Sequence, residues 1–408
     1  MKILIAIDKF KGSLTSLEAA HAIRRGIEAA IVAAADEVGV KNTYEIVEIA
    51  DGGDGSADVL LKVKEGVEIV PVVGINPLGQ EIESSYLSYY ESDSNSLQKC
   101  AFIEMAKISG LELVPQQDSQ GRNLRNPLFT TTYGLGQLMR KAYENGAQKI
   151  TLSIGGSATN DGGTGMLQAL GFKFYDKTGS LITDYMCGGL LSHIGRIEPP
   201  AEGLFADSLN RASGKSHCAC DIEVICDVTN PLLGKTGATY VYGPQKGADF
   251  HILQQLEAGM ENLVEVSGKV IASSESGESV HFLPGAGAAG GVGFAVKAFL
   301  NGEIISGWRF FANLTRLEER IKEADIVISG EGKIDDQSLC GKVVDGVLTL
   351  ANKYGKRCVL FCGINALPED ISIPNVPICQ LADIESNREK SMQNAALLLE
   401  TLAFKLNY

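Results

Sequence analysis

The sequence predicts an α/β protein with a Rossmann-like domain built from both termini and a second α/β domain inserted between them. At both ends of the chain, short apolar runs stop at glycine-rich loops and are followed by helical periodicity. In the middle, strand-like segments follow one another without this rhythm, and 408 residues exceed one ordinary core. We expect a discontinuous Rossmann-like domain at residues 1–80 and 300–408, an inserted domain at 81–299, and an active site in the cleft between them.

The first strand–loop–helix unit is predicted at the N-terminus. Ile3 to Ile7 is an apolar run typical of a buried strand, and Thr15-Ser-Leu-Glu18 is a capping box that opens a helix. The polar loop between them lies at the carboxyl end of the strand, where open α/β sheets bind ligands. Its candidate binding residues are Asp8, Lys11 and Ser13.

The second unit contains an acidic glycine loop. A predicted strand, Tyr44 to Ile49, leads into Ala50-Asp51-Gly-Gly-Asp54-Gly-Ser56 and then a helix near Ala57 to Val63. The two carboxylates either cap the helix, hold a metal ion or accept hydroxyl groups of a polyol substrate. The pattern leaves these three roles open.

The central stretch of the chain repeats this design. Ile150 to Ile154 predicts a buried strand that stops at Gly155, Gly156 and Ser157, and apolar periodicity resumes near Met166. The backbone N–H groups of this loop, followed by a helix N-terminus, suit an anion, and Asp161 suits an accompanying cation. The alternative is a tight turn that requires positive φ.

The remaining periodicities predict elements of both kinds. Strands are expected at 67–74, 82–90, 101–105, 222–226, 326–329 and 358–361, with a hairpin at 172–182. Helices are expected from the Thr130–Thr132 cap to Asn145, at 250–267, from the glycines at 285–291 to 300, after 314, from 343 and from 388. Polar loops are expected at 91–99 and 116–126, and an irregular segment at 204–219.

Composition excludes several classes of protein. Hydrophobic residues make up 45% and charged residues 21%, and no apolar run reaches the ~18 residues of a membrane span. The apolar run at the N-terminus is too short for the core of a secretory signal and is expected to be a first strand. The formal net charge of −14 disfavours nucleic acid as a partner. Nine scattered cysteines without zinc-ligand spacing fit a reducing cytoplasm and no structural metal. The oligomeric state is left open, a homo-oligomer included.

Two nucleotide-binding patterns are rejected. Gly234-Lys235-Thr236 resembles the end of a P-loop. The P-loop pattern also requires a glycine five residues before Gly234, but Thr229 occupies that position and Pro231 interrupts the loop. Gly285-x-Gly287-x-x-Gly290 has the glycine spacing of the dinucleotide-binding pattern but lacks its structural context. Only a weak strand precedes the glycines, and no acidic residue ends a second strand about 20 residues further on. A close-packed helix start is the better interpretation of these glycines.

The glycine loops as a set favour phosphoryl transfer. All of them except the loop at 285–291 carry carboxylates, lysines or hydroxyl groups, which are the groups needed to hold a polyphosphate, position Mg²⁺ and accept a proton. Hydride transfer would need one recognisable dinucleotide loop, and no Gly-x-Ser-x-Gly elbow indicates a hydrolase. The loops lie around 8–13, 51–56, 155–163, 227–230, 243–247, 285–291 and 330–335.

The same loops carry a family resemblance that covers essentially the whole chain. The segments are Ile7-Asp8-Lys9-Phe-Lys-Gly-Ser-Leu14, Ala50-Asp-Gly-Gly-Asp-Gly55, Gly155-Gly-Ser-Ala-Thr-Asn-Asp-Gly-Gly163, Cys226-Asp-Val-Thr-Asn-Pro-Leu232, Gly243-Pro-Gln-Lys-Gly-Ala248 and Gly330-Glu-Gly-Lys-Ile-Asp335. Together they resemble the bacterial glycerate kinase family, type I class. The resemblance implies ATP-dependent phosphorylation of glycerate, usually giving 2-phosphoglycerate. The chain departs from the family pattern at Ile7-Asp8-Lys9, and at Asp54 and Ser56.

With this resemblance, the loops define a predicted site for glycerate, ATP and Mg²⁺. Asp227 follows a strand directly and is the candidate general base. Lys246 and Lys333, each a cation inside a glycine-bounded loop, are candidates for binding phosphate or the glycerate carboxylate. Asp161 is the candidate Mg²⁺ ligand, and the predicted substrate and ATP contacts are Asp8, Lys11, Ser13, Asp51, Gly155, Gly156, Ser157, Asn160, Gly287, Gly290 and Glu331.

Three alternatives to this function remain open at the level of the sequence. The same chemistry on the terminal hydroxyl would give 3-phosphoglycerate, and another small hydroxy acid could be the substrate. From a different class, a non-catalytic regulator could use the same scaffold to bind a nucleotide or sugar acid. The carboxylates that recur in these loops favour an enzyme over a non-catalytic regulator.

Overall fold

The computed structural model of the chain describes residues 1–33, 42–50, 52–53, 55–93, 96–117, 120–121, 123–201, 220–271, 279–339, 341–368, 371 and 373–406. The predicted site residue Asp51, its neighbour Asp54 and the segment 204–219 lie outside these ranges. Within them, no helix is both long and apolar enough to cross a membrane. The mixed α/β class predicted from the sequence is confirmed.

The strands and helices are numbered in chain order. The strands are β1 (Lys2–Ile5), β2 (Thr43–Ile46), β3 (Glu68–Ile75), β4 (Glu81–Asp93), β5 (Ser96–Glu104), β6 (Lys149–Ser153), β7 (Lys173–Asp176), β8 (Ile194–Glu198), β9 (Asp221–Ile225), β10 (Glu303–Ile305), β11 (Ile326–Ile334), β12 (Arg357–Asn365) and β13 (Ile378–Gln380). The helices are α1 (Ser16–Ala33), α2 (Ser56–Val63), α3 (Ala106–Ser109), α4 (Tyr133–Glu144), α5 (Thr164–Ala169), α6 (Ala238–Tyr242), α7 (Phe250–Ile271), α8 (Val292–Phe299), α9 (Gly307–Leu314), α10 (Leu317–Glu323), α11 (Val343–Lys353), α12 (Arg388–Gln393) and α13 (Ala395–Lys405).

The chain divides into two compact units. Unit 1 combines Met1–Asp51 with Ser306–Tyr408, and unit 2 is the continuous segment Gly52–Ile305. The first boundary differs from the one expected near residue 80. The reason is strand pairing, because β3 pairs antiparallel with β4 along its whole length and therefore belongs to the sheet of unit 2.

Unit 1 is built on a five-stranded parallel sheet with the order β13-β12-β11-β1-β2. Alternate side chains of its strands, among them Ile3, Ile5 and Ile328, pack against α1 and α13 in one hydrophobic core. The predicted capping box opens α1: Thr15 Oγ1 accepts a hydrogen bond from Glu18 N at 3.2 Å, and Thr15 N donates to Glu18 Oε2 at 2.9 Å.

One predicted loop of unit 1 is a strand. The glycine loop expected at 330–335 forms instead the second half of β11, which pairs with β12 as far as Ile334. Gly330 permits this pairing at very close range, since a methyl group there would lie 1.8 Å from the Phe361 carbonyl oxygen. Short β13 was not predicted, because three residues give no readable periodicity.

Unit 2 is built on a six-stranded sheet with the order β10-β9-β6-β5-β4-β3. The first four strands in this order are parallel, and β4 and β3 extend the sheet as antiparallel strands. Residues of β5, β6 and β9 form its hydrophobic core with α4, α7 and α8. A separate antiparallel pair, β7 and β8, completes the unit. Helix α4 ends at Asn145 and Gly146 as predicted.

Candidate functional site

The parallel strands of unit 2 all end at one edge of its sheet. Strands β6 and β9 are neighbours, with Ser153 opposite Ile225 at their ends. The chain leaves β6 into Gly155-Gly156-Ser157 and leaves β9 into Asp227. Neighbouring strands lie about 4.8 Å apart, so the topology brings these predicted site residues to adjacent positions on the carboxyl edge.

The turn after β6 is tightly held. Gly156 has a φ of +70° and is exposed, which leaves its backbone accessible to a ligand. Its carbonyl oxygen accepts a hydrogen bond from Leu111 N at 2.8 Å, and Ser157 forms a β-bridge with Gly110. A methyl group at Gly155 would lie 2.5 Å from Gly53 Cα, so only glycine fits this contact.

Asp161 occupies a structural position. It is fully buried, and its carboxylate accepts four hydrogen bonds: from Thr132 N and Oγ1 at 2.8 Å each, from Gly163 N at 3.1 Å and from Gly165 N at 3.3 Å. Burial raises the pKa of Asp161, while the hydrogen bonds from Thr132, Gly163 and Gly165 act in the opposite direction. The carboxylate therefore joins the N-terminal ends of α4 and α5.

This geometry corrects two expectations about the central loop. The N–H groups at the start of α5 are bound by Asp161, and the helix begins only at Thr164, so Gly155 and Gly156 are not at a helix N-terminus. Because its oxygens already accept four bonds, Asp161 is not placed as the predicted Mg²⁺ ligand. Among the residues that the structure describes, no three His, Cys, Asp or Glu side chains are grouped to hold a metal ion.

Lys246 is buried behind the same turn. Only 2% of its surface is exposed, and its Nζ donates to Ser157 Oγ at 2.9 Å and to the Thr159 carbonyl oxygen at 2.6 Å. Burial lowers the pKa of Lys246 to about 7, although the nearby Asp161 carboxylate acts to raise it. The predicted direct contact with phosphate is thus replaced by a contact that supports the turn from inside.

Asn160 continues this buried polar layer. Its Nδ2 donates to Thr239 Oγ1 at 3.2 Å, which ties the turn to α6. Asn160 Oδ1 and Thr159 Oγ1 are buried and have no hydrogen-bond partner among the described residues. Both side chains are wholly buried, so neither is presented to a ligand at the surface.

The glycines at 285–291 are packing positions. A methyl group at Gly290 would lie 2.1 Å from the Thr159 carbonyl oxygen, and the Gly290 carbonyl accepts Gly162 N at 2.9 Å. Gly287 N donates to the Asn230 carbonyl at 3.0 Å. The predicted ligand contacts of Gly287 and Gly290 are therefore replaced by contacts with neighbouring loops, in line with a close-packed helix start.

Unit 1 collects a second group of predicted residues at the carboxyl edge of its own sheet. Asp8 is half-buried, and its N–H donates to the Gly330 carbonyl at 2.9 Å, which places it beside Glu331. Lys11 is exposed, whereas Ser13 Oγ donates to the Met392 carbonyl at 2.5 Å and thereby ties the loop to α12.

Lys333 lies on the same edge in an exposed ion pair. Its side chain is 59% exposed, and Nζ lies 2.8 Å from Asp335 Oδ2. Exposed pairs of this kind add little to stability, so the lysine remains accessible to an anionic ligand. Its role in binding stays a prediction.

Glu104 was missed by the sequence analysis. It is 4% exposed, it closes β5, and its two oxygens accept hydrogen bonds from Gly55 N and Ala57 N at 2.9 Å each. The signal was present in the sequence, because an acidic residue directly after the apolar Ala101-Phe-Ile103 run stands at the end of a buried strand.

Known proteins are similar to this chain over nearly its whole length. The sequence model of the glycerate kinase family matches residues 3–407. A protein named glycerate 2-kinase from Escherichia coli K12 is 39% identical over 373 residues, which are 91% of this chain and 87% of that protein. A glycerate kinase of Haemophilus influenzae is 35% identical and is aligned over the whole of both chains. A crystal structure from Salmonella typhimurium LT2, described as glycerate kinase 2, superposes with a TM-score of 0.69 at 35% identity and covers 99% of this chain and 97% of that one.

Proposed function

Because this chain belongs to the glycerate kinase family, we propose that it transfers the γ-phosphoryl group of ATP to D-glycerate and forms 2-phosphoglycerate. The choice of the 2-hydroxyl follows the relative named glycerate 2-kinase, which is 39% identical. The kinase class itself excludes the regulator considered among the alternatives.

The observation that carries the proposal is the carboxyl edge of the unit 2 sheet. An exposed glycine turn at Gly156 and the half-buried carboxylate of Asp227 follow two neighbouring parallel strands. Phosphoryl transfer depends mainly on positioning and on electrostatic stabilisation, with one group to receive the proton of the acceptor hydroxyl. The turn suits the phosphates, and Asp227 suits the proton.

The proposed step forms one bond to phosphorus and breaks another. The 2-hydroxyl oxygen of glycerate forms a bond to the γ-phosphorus, the bond from that phosphorus to the bridging oxygen of ADP breaks, and Asp227 receives the hydroxyl proton. The Lys246 contacts with Ser157 and Thr159 keep the glycine turn in place during the step.

We propose that Mg²⁺ enters with ATP. Mg²⁺ in kinase sites keeps several waters and takes one or two carboxylates together with substrate phosphates, so a pre-formed protein cage is not needed. The bound ion would neutralise phosphate charge. We do not assign Asp161 as its ligand, because the oxygens of Asp161 accept bonds from Thr132, Gly163 and Gly165.

The experiment compares an aspartate that follows β9 with one that begins it. Asp227→Asn at the carboxyl end of β9 should lower kcat for ADP release about 100-fold or more, since the amide cannot accept the proton. Asp221→Asn, at the opposite end of the same strand, is the matched control and should leave kcat within twofold. Turnover of Asp227→Asn within threefold of the parent would remove Asp227 from this role.

A further inference from the structure

A buried carboxylate holds the segment that opens α2. Glu104 is the last residue of β5, and both of its oxygens bind this segment, Oε1 through Gly55 N and Oε2 through Ala57 N, at 2.9 Å each. No side chain of the α2 sequence itself caps the helix, whose N-cap residue Gly55 has a φ of +86°. An acidic side chain at these N–H groups also complements the positive end of the helix.

The same segment is attached to the neighbouring strand β6, because Ser153 Oγ donates to the Gly52 carbonyl at 2.5 Å. Within the segment, Ser56 Oγ donates to the Gly53 carbonyl at 2.6 Å. The close contact of Gly155 with Gly53 Cα adds a packing constraint from the glycine turn. The segment is thus fixed to the ends of two strands, at the edge where Gly155 begins the proposed phosphate-binding turn.

We propose that Glu104 is a positioning residue for phosphoryl transfer, which acts by fixing Gly52, Gly53, Gly55 and Ser56 against the glycine turn. The inference rests on the proposed function, because it assigns the segment to that reaction. The two N–H groups donate to different oxygens of the side chain, so this arrangement needs an acceptor at both positions, which a carboxylate provides. Glutamine would turn one N–H of its amide towards a backbone N–H, losing one bond and adding a repulsive contact.

The test is Glu104→Gln, which keeps the size of the side chain. We expect kcat to fall at least tenfold, with the KM for D-glycerate within twofold, because the loss concerns positioning. Amide hydrogen exchange in residues 52–57 should accelerate at least tenfold in the same protein. Asn262→Ala is the control for lost stability. It removes two partly buried hydrogen bonds of 2.9 Å, to the Leu191 and Ile194 carbonyl oxygens, away from the segment.

The control separates positioning from loss of stability. Asn262→Ala should lower the Tm and leave kcat within twofold when assayed well below both transitions. Glu104→Gln with normal kcat, or with a loss of kcat no larger than that of the control, would overturn the inference. If Glu104→Gln does not fold, Ser153→Ala is the second variant, which removes the bonds of Ser153 Oγ to the Gly52 and Gly53 carbonyl oxygens. It should also lower kcat without changing the KM for D-glycerate, by a smaller factor, and unchanged kcat there would overturn the inference.

Failure of the proposed function is recognised separately. A wild-type protein that releases no ADP with D-glycerate overturns the proposed function and the catalytic part of this inference. Unchanged exchange of residues 52–57 in Glu104→Gln, with active wild-type protein, overturns the role of Glu104 alone.

Discussion

Replacing Lys246 with methionine should remove a pH dependence of folding stability that the structure assigns to this residue. Its amino group is buried, and its pKa falls from the ordinary 10.5 to about 7. Between these values the unfolded chain binds the proton and the folded chain does not, so stability rises with pH across this window. Each pH unit is worth about 1.4 kcal/mol, which gives at most about 5 kcal/mol over the window.

The measurement is the free energy of unfolding in urea at pH 7, 8 and 9 for both proteins. The wild-type protein should gain about 2–3 kcal/mol relative to Lys246→Met between pH 7 and 9, since groups common to both proteins cancel in the comparison. Lys246→Met also loses the bonds to Ser157 and Thr159, which shifts its curve by a constant amount.

The control is Lys235→Met, which removes an exposed lysine from the same unit. Because this substitution leaves the buried amino group of Lys246 in place, the pH-dependent gain should be retained and the curve of Lys235→Met should stay parallel to the wild-type curve. Parallel curves for Lys246→Met as well would refute the reasoning, because they would show that Lys246 keeps its proton in the folded protein.

Three further substitutions test residues of the two sheet edges. Asp161→Asn should destabilise unit 2 by about 3 kcal/mol or more, because a buried acceptor of four bonds becomes partly a donor, and the Mg²⁺ dependence of the remaining rate should not change. A shifted Mg²⁺ dependence with an unaltered Tm would restore Asp161 as a metal ligand. Gly156→Val should abolish ATP binding in calorimetry while the circular dichroism spectrum is retained, and normal ATP binding would make the turn purely structural. Lys333→Met should raise the KM of one substrate selectively, and unchanged KM values for both would remove Lys333 from the site.

Local features of the fold were readable from the sequence. Two of these features are the capping box of Thr15 and Glu18 and the end of α4 near Gly146. Each involves residues that are near neighbours in the chain, so the local sequence is sufficient to predict it. The rhythm of strand, glycine loop and helix likewise predicted the edge at which Gly155 and Asp227 lie.

The features that could not be predicted from the sequence depend on contacts between residues far apart in the chain. Asp161 is bound by Thr132, 29 positions away, and Glu104 is bound by Gly55, 49 positions away, so neither role is visible in its own loop. Gly330 looked like a loop residue because glycine is common in turns, but its pairing opposite Phe361 of β12 makes it part of a strand.

Product identification by phosphorus NMR tests the central claim most directly. The wild-type protein is incubated with ATP, Mg²⁺ and D-glycerate, with Asp227→Asn as the parallel sample. The account predicts 2-phosphoglycerate and ADP in equal amounts from the wild-type protein, and almost none from Asp227→Asn at the same time point. Formation of 3-phosphoglycerate would contradict the assigned hydroxyl, and the absence of any phosphorylated glycerate would contradict the proposed function itself.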